Sequence, residues 1–406
     1  MANGTATFES ALRGTYFARV YLGLATLAYA SESHGVGVDG AVTSILANPK
    51  RFPLLPDLPD AANPSAPPRA INGYWTLDWG GDVGDNANAI LLVSFRTGPQ
   101  PAPGAADGAP LFVAVCNRGT DTVAWKGAVL VDVFEDVDSF SQRPWSTVLG
   151  ELPNPSGRQI PSGLTGKIAS GTADALRLVT EFQSALNGQM CTVSGALTSL
   201  LTQYPGTPIV VTGHSLGGCL TQVVAAYLVW QLFDTQTEAQ PNMLPNPFAP
   251  PTAGDADFAA MYDALFPNGH FWFNETDLVP CAWSHLHAIP HLWGSNTWPV
   301  DSQGAPAEAA GPKCSEVFDL AVAALSGRVP IYARPSVNQQ ALAAGLPTQA
   351  QMTAFLQSSS TDVPWDSWHA QLLWQHMPPC YHAKISAAFP DGQLAPFPLI
   401  DTNPPY

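Results

Sequence analysis

Near the middle of the chain, residues 213–217 read Gly-His-Ser-Leu-Gly and place a serine between two glycines. The apolar run at 207–212 before them predicts a buried strand, and the run at 218–228 after them predicts a buried helix. A serine between such a strand and helix lies on a sharp turn that exposes its hydroxyl, and the glycines relieve crowding between the two backbones. We therefore predict that Ser215 is a nucleophile and that the N-terminus of the helix stabilises an oxyanion beside it.

A serine hydroxyl becomes a good nucleophile when a histidine accepts its proton and a carboxylate orients that histidine. In hydrolases whose serine occupies such a turn, the chain order is serine, then acid, then histidine. The apolar run at 270–274 predicts a strand that leads into a polar turn. Asp277 in this turn is the predicted acid, and Glu275 is the competing carboxylate.

Three histidines follow Asp277 at a distance that leaves room for an intervening element: His369, His376 and His382. We predict His382 as the base, because it is expected in a short loop that follows a Pro-Pro pair and precedes the helical pattern of residues 383–389. His376 and His369 remain alternatives.

Two backbone donors are expected for the oxyanion. One is the N–H of Leu216, the residue after the nucleophile. The other is expected from the turn after an earlier strand, and the apolar run at 111–116 followed by Arg118-Gly119-Thr120 fits that description. Thr120 is therefore the second predicted oxyanion-hole residue.

Taken together, these motifs resemble the class 3 lipases, the fungal-type triacylglycerol lipases of the α/β-hydrolase superfamily. The stretches that match the family's motifs are 118–120, 213–218, 248–255 and 274–280. Ala169 stands where the family has a histidine, and Ala249 replaces a family glycine. The resemblance implies an ester-cleaving enzyme with Ser215, Asp277 and His382 as its catalytic triad.

The alternation of predicted strands and helices favours an α/β-hydrolase fold, with a mostly parallel central sheet and helices on both faces. The 406 residues are interpreted as a single domain. Within it we expect a lid-like segment around 121–166 and a long insertion around 281–380. Half of the twelve tryptophans lie in that insertion, which could therefore line an acyl pocket.

The charge balance restricts the partners. Sixteen basic and 32 acidic residues give a formal net charge of −16, which repels phosphate backbones. Nucleic acid is therefore not expected as a partner. The negative charge is compatible with a small ester or lipid substrate and with transient contact with a lipid surface. The sequence carries no indication of oligomeric state. It shows no clear signal peptide, which predicts a cytoplasmic protein or a mature form whose leader was removed.

The six cysteines include no C-x-x-C pair. Cys116 and Cys219 are expected as buried thiols, and a disulfide between Cys281 and Cys380 would be feasible if Asp277 meets the C-terminal base. His285, His287 and His291 have ligand-like spacing in a Pro- and Trp-rich loop, and we assign them no metal.

The sequence therefore predicts a serine hydrolase that cleaves carboxylic esters through an acyl-enzyme on Ser215. A lipase or esterase acting on acylglycerols or other hydrophobic esters is the expected form, and it needs no cofactor. Two alternatives stay open: an acyltransferase or thioesterase with the same triad, and a non-catalytic lipase-like scaffold.

Overall fold

The structure, a computed structural model, places most of the chain. It describes residues 2–30, 38–49, 52, 55, 71–83, 88–101, 107–118, 140–161, 164–292, 331–336, 338–343, 348–358 and 368–389.

A seven-stranded sheet forms the centre of the fold, with strand order β1-β2-β3-β8-β9-β10-β11. Its members are β1 Gly73–Val83, β2 Asn88–Thr97, β3 Pro110–Arg118, β8 Ile209–His214, β9 Met243–Phe248, β10 Phe271–Asn274 and β11 Gln339–Leu342. The first two pairings are antiparallel, and every pairing from β3 to β11 is parallel. The two small additional sheets pair β4 Gln142–Pro144 with β5 Lys167–Ala169, and β6 Ser184–Leu186 with β7 Gln189–Cys191.

Helices connect and cover these strands. Those of the first half of the chain are α1 Ala2–Arg13, α2 Ala18–Leu27, α3 Val38–Leu46, α4 Trp145–Glu151, α5 Ser170–Glu181 and α6 Val193–Gln203. Those of the second half are α7 Leu216–Leu232, α8 Gln236–Asn242, α9 Ala256–Leu265, α10 Gln349–Ser358, α11 Trp368–His376 and α12 Pro378–Ala388, with short 3₁₀ turns at Val279–Cys281 and Leu286–His291. None of the helices in the described ranges combines the length and apolarity that a bilayer span requires.

The central sheet is buried on both faces. Because side chains alternate along a strand, Val113 and Val115 of β3 pack on the face that carries α5, α6 and α7. Phe112 and Ala114 of the same strand point to the opposite core, where α2 and α12 pack. All ten residues of α2 are buried, so this helix is an internal element. The predicted α/β-hydrolase fold class is confirmed: a mostly parallel sheet lies between two helical layers.

The division into one domain, a lid-like segment and an insertion stays a prediction. Of the segment at 121–166, the structure describes 140–161 and 164–166, which include β4 and α4. Within 281–380, β11 is the last strand of the central sheet and pairs in parallel with β10. At least part of this segment is thus integral to the sheet.

Candidate active site

The serine turn forms between β8 and α7, as its sequence predicts. Ser215 has backbone angles φ 58° and ψ −128°, a region that residues other than glycine rarely adopt. Its N–H donates a hydrogen bond to the Phe248 carbonyl of β9 at 3.0 Å, and α7 begins at the next residue. The side chain therefore projects from the carboxyl edge of the sheet at the start of a helix.

Glycine is required in this turn because the backbones lie in contact. A Cβ at Gly213 would lie 2.2 Å from the Gly217 carbonyl oxygen, and one at Gly218 would lie 2.7 Å from the Phe248 carbonyl oxygen. Neither neighbour is a flexible side chain that could move away. The local sequence thus permits a turn in which strand and helix pack backbone to backbone.

A chain of short hydrogen bonds connects three residues from separate elements. The Ser215 Oγ lies 2.8 Å from His376 Nε2, and His376 Nδ1 lies 2.9 Å from Asp277 Oδ2. The carboxylate accepts from Nδ1–H, which leaves Nε2 of the neutral ring as the acceptor for the serine proton. Ser215 is 8% exposed, and His376 and Asp277 are each 1% exposed. This is the geometry of a nucleophile, a general base and an orienting acid.

The structure differs from the sequence prediction at the base. His382 does not reach Ser215, and His376, one of the two alternatives, lies beside it. The cause is the start of α12: Pro378 and Pro379 occupy its first helical positions instead of preceding a loop. His382 therefore lies inside α12, while His376 is the last residue of α11.

The environment of His382 also differs from that of a base. Burial, with a smaller effect of Arg19, lowers the pKa of His382 to about 4. Its Nε2 has no hydrogen-bond partner among the residues that the structure places. The side chain of the third candidate, His369, lies outside what the structure describes.

Asp277 receives hydrogen bonds on both carboxylate oxygens. Oδ1 accepts from the Val279 N–H at 3.0 Å, and Oδ2 accepts from the Tyr381 hydroxyl at 2.8 Å in addition to His376. Glu275, the competing carboxylate, is exposed. Three donors thus compensate a fully buried charge and fix its orientation toward the imidazole.

A second group of buried polar residues joins β10 to the end of α11. The Asn274 side-chain amide donates to the Gln375 carbonyl and side-chain oxygens at 2.8 and 2.7 Å. The Thr276 hydroxyl lies 2.7 Å from the same Gln375 side-chain oxygen and 2.8 Å from that of Asn274. These bonds attach the helix that carries His376 to the turn that carries Asp277. No local sequence pattern points to this group or to Tyr381, because their contacts join residues about 100 positions apart.

His214 supports the base from the other side. Its Nε2–H donates to the His376 carbonyl oxygen at 2.8 Å, and the two ring centroids lie 4.8 Å apart. Burial, and then the neighbouring His376, lower the pKa of His214 well below its ordinary value. The ring is therefore neutral and acts as a fixed donor.

Of the two residues expected to form an oxyanion hole, the structure describes Leu216. Leu216 is the first residue of α7, so its N–H has no acceptor within the helix and is free to face a developing charge. Its side chain packs against Ala169, Ala282, Trp283 and Tyr332. Thr120 lies outside the described residues. The strand that leads to it ends at Arg118, whose guanidinium is buried and paired with Asp82 at 2.9 Å.

The cysteines and the remaining histidines form no further site in the described part of the chain. Cys281 and Cys380 are both free, which excludes the disulfide considered between them, and Cys116 and Cys219 are buried thiols as predicted. Burial raises the pKa of Cys380 to about 12. No group of three or more His, Cys, Asp or Glu side chains within the described ranges is arranged as a metal site.

Comparison with known proteins relates this geometry to a family. The profile of the family described as "Lipase (class 3)" matches residues 115–285. This segment, called the lipase segment below, is therefore similar in sequence to the class 3 lipases. This lipase segment contains Ser215, Asp277 and the expected Thr120, but it ends well before His376. His376, the candidate base, therefore lies outside the part of the chain that the family profile covers.

Solved structures extend the likeness to the fold of most of the chain. The M37 lipase is 18% identical, with a TM-score of 0.58 over 91% of this chain and 94% of that one. A mutant form of MDLA from Penicillium cyclopium is 14% identical, with a TM-score of 0.41 over 84% and 82% of the two chains. A triacylglycerol lipase from Penicillium expansum is 18% identical, with a TM-score of 0.35 over 66% and 82%. No curated protein matches the sequence. The first of these structures shows the fold, and the family match over residues 115–285 supports a lipase-type hydrolase.

Proposed function

We propose that this protein hydrolyses carboxylic esters of hydrophobic acids, such as acylglycerols, through an acyl-enzyme on Ser215. The observation that carries the proposal is the continuous hydrogen-bonded path from Ser215 through His376 to Asp277. Its position on a strand–turn–helix within a class 3 lipase segment supports ester chemistry in particular.

In the proposed reaction, Ser215 Oγ attacks the ester carbonyl while His376 Nε2 accepts its proton. Asp277 holds the imidazolium through Nδ1–H, and the Leu216 N–H, together with a donor from the expected Thr120 turn, stabilises the tetrahedral oxyanion. His376 then protonates the leaving alcohol, and the acyl group stays on Ser215. Water, activated by the same imidazole, releases the acid and restores the serine.

The substrate class follows from the surroundings of the nucleophile. The side chains packed against Leu216, directly after the nucleophile, form a buried apolar cluster that includes Trp283 and Tyr332. An acyl chain held beside this cluster would gain free energy by burial of its own apolar surface, at about 25 cal/mol per Å². A charged or strongly polar acyl group would lose its hydration there.

The test combines a mechanism-based probe with matched histidine variants. A fluorophosphonate is expected to label the wild-type protein at Ser215, and Ser215→Ala is expected to abolish both labelling and hydrolysis of a p-nitrophenyl ester. His376→Ala is expected to lower kcat by about 10⁴-fold or more. The control, His382→Gln, removes an imidazole only six positions further along the chain and is expected to leave kcat within about twofold of wild type. Full activity of His376→Ala, or of Ser215→Ala, would refute the proposed mechanism.

A further inference from the structure

The peptide bond between His214 and Ser215 is held from both sides. The Tyr29 hydroxyl donates to the His214 carbonyl oxygen at 2.8 Å, and the Ser215 N–H donates to the Phe248 carbonyl at 3.0 Å. This peptide directly precedes the positive φ of Ser215. Its orientation decides where the serine side chain points, because rotation of the peptide changes φ of the serine.

Tyr29 comes from an element outside the lipase segment at 115–285. It lies two residues after α2, which is itself buried under the sheet and bonded to it: the Thr212 hydroxyl donates to the Tyr21 carbonyl at 3.1 Å. The preceding residue, Ala28, offers its carbonyl to the Arg118 guanidinium at 3.5 Å. The end of α2 thus contacts β8 just before the nucleophile and β3 just before the expected Thr120 turn.

Tyr29 also contacts the side chain that holds His376, the proposed base. The Tyr29 ring lies edge-on to the His214 ring, with centroids 6.4 Å apart, and the far side of that imidazole donates to the His376 carbonyl. Tyr29 therefore bonds to the backbone of His214 and packs on the side chain that holds His376. Both partners in the serine-to-histidine proton transfer depend on the position of His214.

We propose that Tyr29 is a positioning residue, which fixes the 214–215 peptide in the orientation that keeps Ser215 Oγ within reach of His376. The proposal rests on the proposed function of Ser215 as the nucleophile. Without the hydroxyl, the carbonyl loses this donor, and the strained serine backbone can relax away from the reactive conformation. Reaction rates are sensitive to such displacements, because the reacting atoms must lie close together and be aligned.

The experiment compares Tyr29→Phe with Tyr21→Phe in the full chain. Tyr21 lies on α2 itself, and its hydroxyl donates to the Leu12 carbonyl at 2.7 Å, so each variant removes one tyrosine hydroxyl bonded to a backbone carbonyl. Three quantities are measured: the second-order rate of fluorophosphonate labelling, kcat and KM for a short p-nitrophenyl ester, and Tm.

Tyr29→Phe is expected to lower the labelling rate and kcat by about three- to tenfold with KM unchanged. Tyr21→Phe is expected to keep both rates at the wild-type level while its Tm falls as much or more. Wild-type labelling and kcat in Tyr29→Phe would overturn the positioning role and leave the proposed function intact. Equal loss of rate in both variants would also overturn it, since it would reflect a general weakening of the helix. An unlabelled wild-type protein would instead refute the proposed function.

Discussion

Asp277 shows how single residues outside the reacting pair shape the candidate site. Its side chain is fully buried, and an uncompensated carboxylate there would be very costly. Tyr381 and the Val279 N–H supply two of its three donors, and His376 supplies the third. The Tyr381 hydroxyl also accepts a hydrogen bond from the Asn274 N–H at 3.0 Å, so it links β10 to the acid. The acid is thus oriented before any substrate binds.

Removal of this hydroxyl is expected to affect both rate and stability. In Tyr381→Phe, the carboxylate loses a charge-assisted bond, which should lower kcat by about ten- to hundredfold. The Asn274 N–H loses its acceptor, which should lower the free energy of unfolding by about 1–3 kcal/mol. Steady-state kinetics and denaturant unfolding measure the two effects.

Tyr227→Phe is the matched control for that variant. Its side chain is buried, and the hydroxyl donates to the Pro153 carbonyl at 2.8 Å, away from the triad. We expect a loss of stability in this variant with kcat unchanged. Equal kcat in Tyr381→Phe and wild type would contradict the orienting role of the hydroxyl.

At this scale the sequence predicts part of the site. Ser215 and Asp277 could be assigned because each lies in a local motif that its neighbours define. The choice among the C-terminal histidines depends on where one helix ends and the next begins. The sequence predicts a loop after the Pro-Pro pair, whereas in the structure the pair starts α12. Because proline favours the first position of a helix, Pro378 indicates a boundary between two helices at Met377, next to His376. Tyr29, His214 and Tyr381 act through contacts over long sequence separations, for which a single sequence gives no signal.

Among the elements, the strand–turn–helix of β8 and α7 carries the strongest steric constraint. A Cβ added at Gly213 would lie against the backbone of Gly217 and 2.8 Å from the Asn117 carbonyl oxygen. Three backbone segments therefore meet where only a hydrogen atom fits.

Gly213→Ala is accordingly expected to destabilise the protein by about 3 kcal/mol or more and to abolish labelling of Ser215. Thermal unfolding and probe labelling measure both effects. Gly150→Ala is the control, because Gly150 lies within α4 and its added methyl would meet only Ile160 Cδ1 at an ordinary 3.4 Å. Since alanine favours a helix over glycine, this control should keep or raise the stability by up to about 1 kcal/mol. Wild-type stability of Gly213→Ala would show that the turn is less crowded than its geometry indicates.

The elements around this turn could be predicted to different degrees. The strands at β3, β8 and β10 follow from short apolar runs, and α7 follows from a continuous apolar stretch after the serine. The strand β11 has only four residues, of which one is buried, so its place in the sheet comes from pairing with β10 and not from its own pattern.

For the molecule as a whole, the formal net charge of −16 governs encounters with lipid surfaces. The proposed substrates are neutral, but a substrate in a vesicle is surrounded by other lipids. If these lipids are anionic, they repel the negatively charged protein from the vesicle surface. We expect a neutral ester to be hydrolysed more slowly in anionic than in zwitterionic vesicles at low salt. Raising the NaCl concentration from about 10 to about 150 mM shortens the Debye length from about 30 to about 8 Å and should reduce the difference. Initial rates in the two vesicle types measure this effect, and equal rates at low salt would contradict it.

The distances along the chain between the parts of the site have a consequence for biosynthesis. Tyr29 precedes His214 by 185 residues, and His376 follows Ser215 by 161 residues. While the polypeptide leaves the ribosome, the nucleophile emerges long before the imidazole that is proposed to take its proton. Under the proposed mechanism, a nascent or prematurely terminated chain is therefore inert toward the esters of the cell that makes it. Reactivity begins only when α11 docks against the folded sheet.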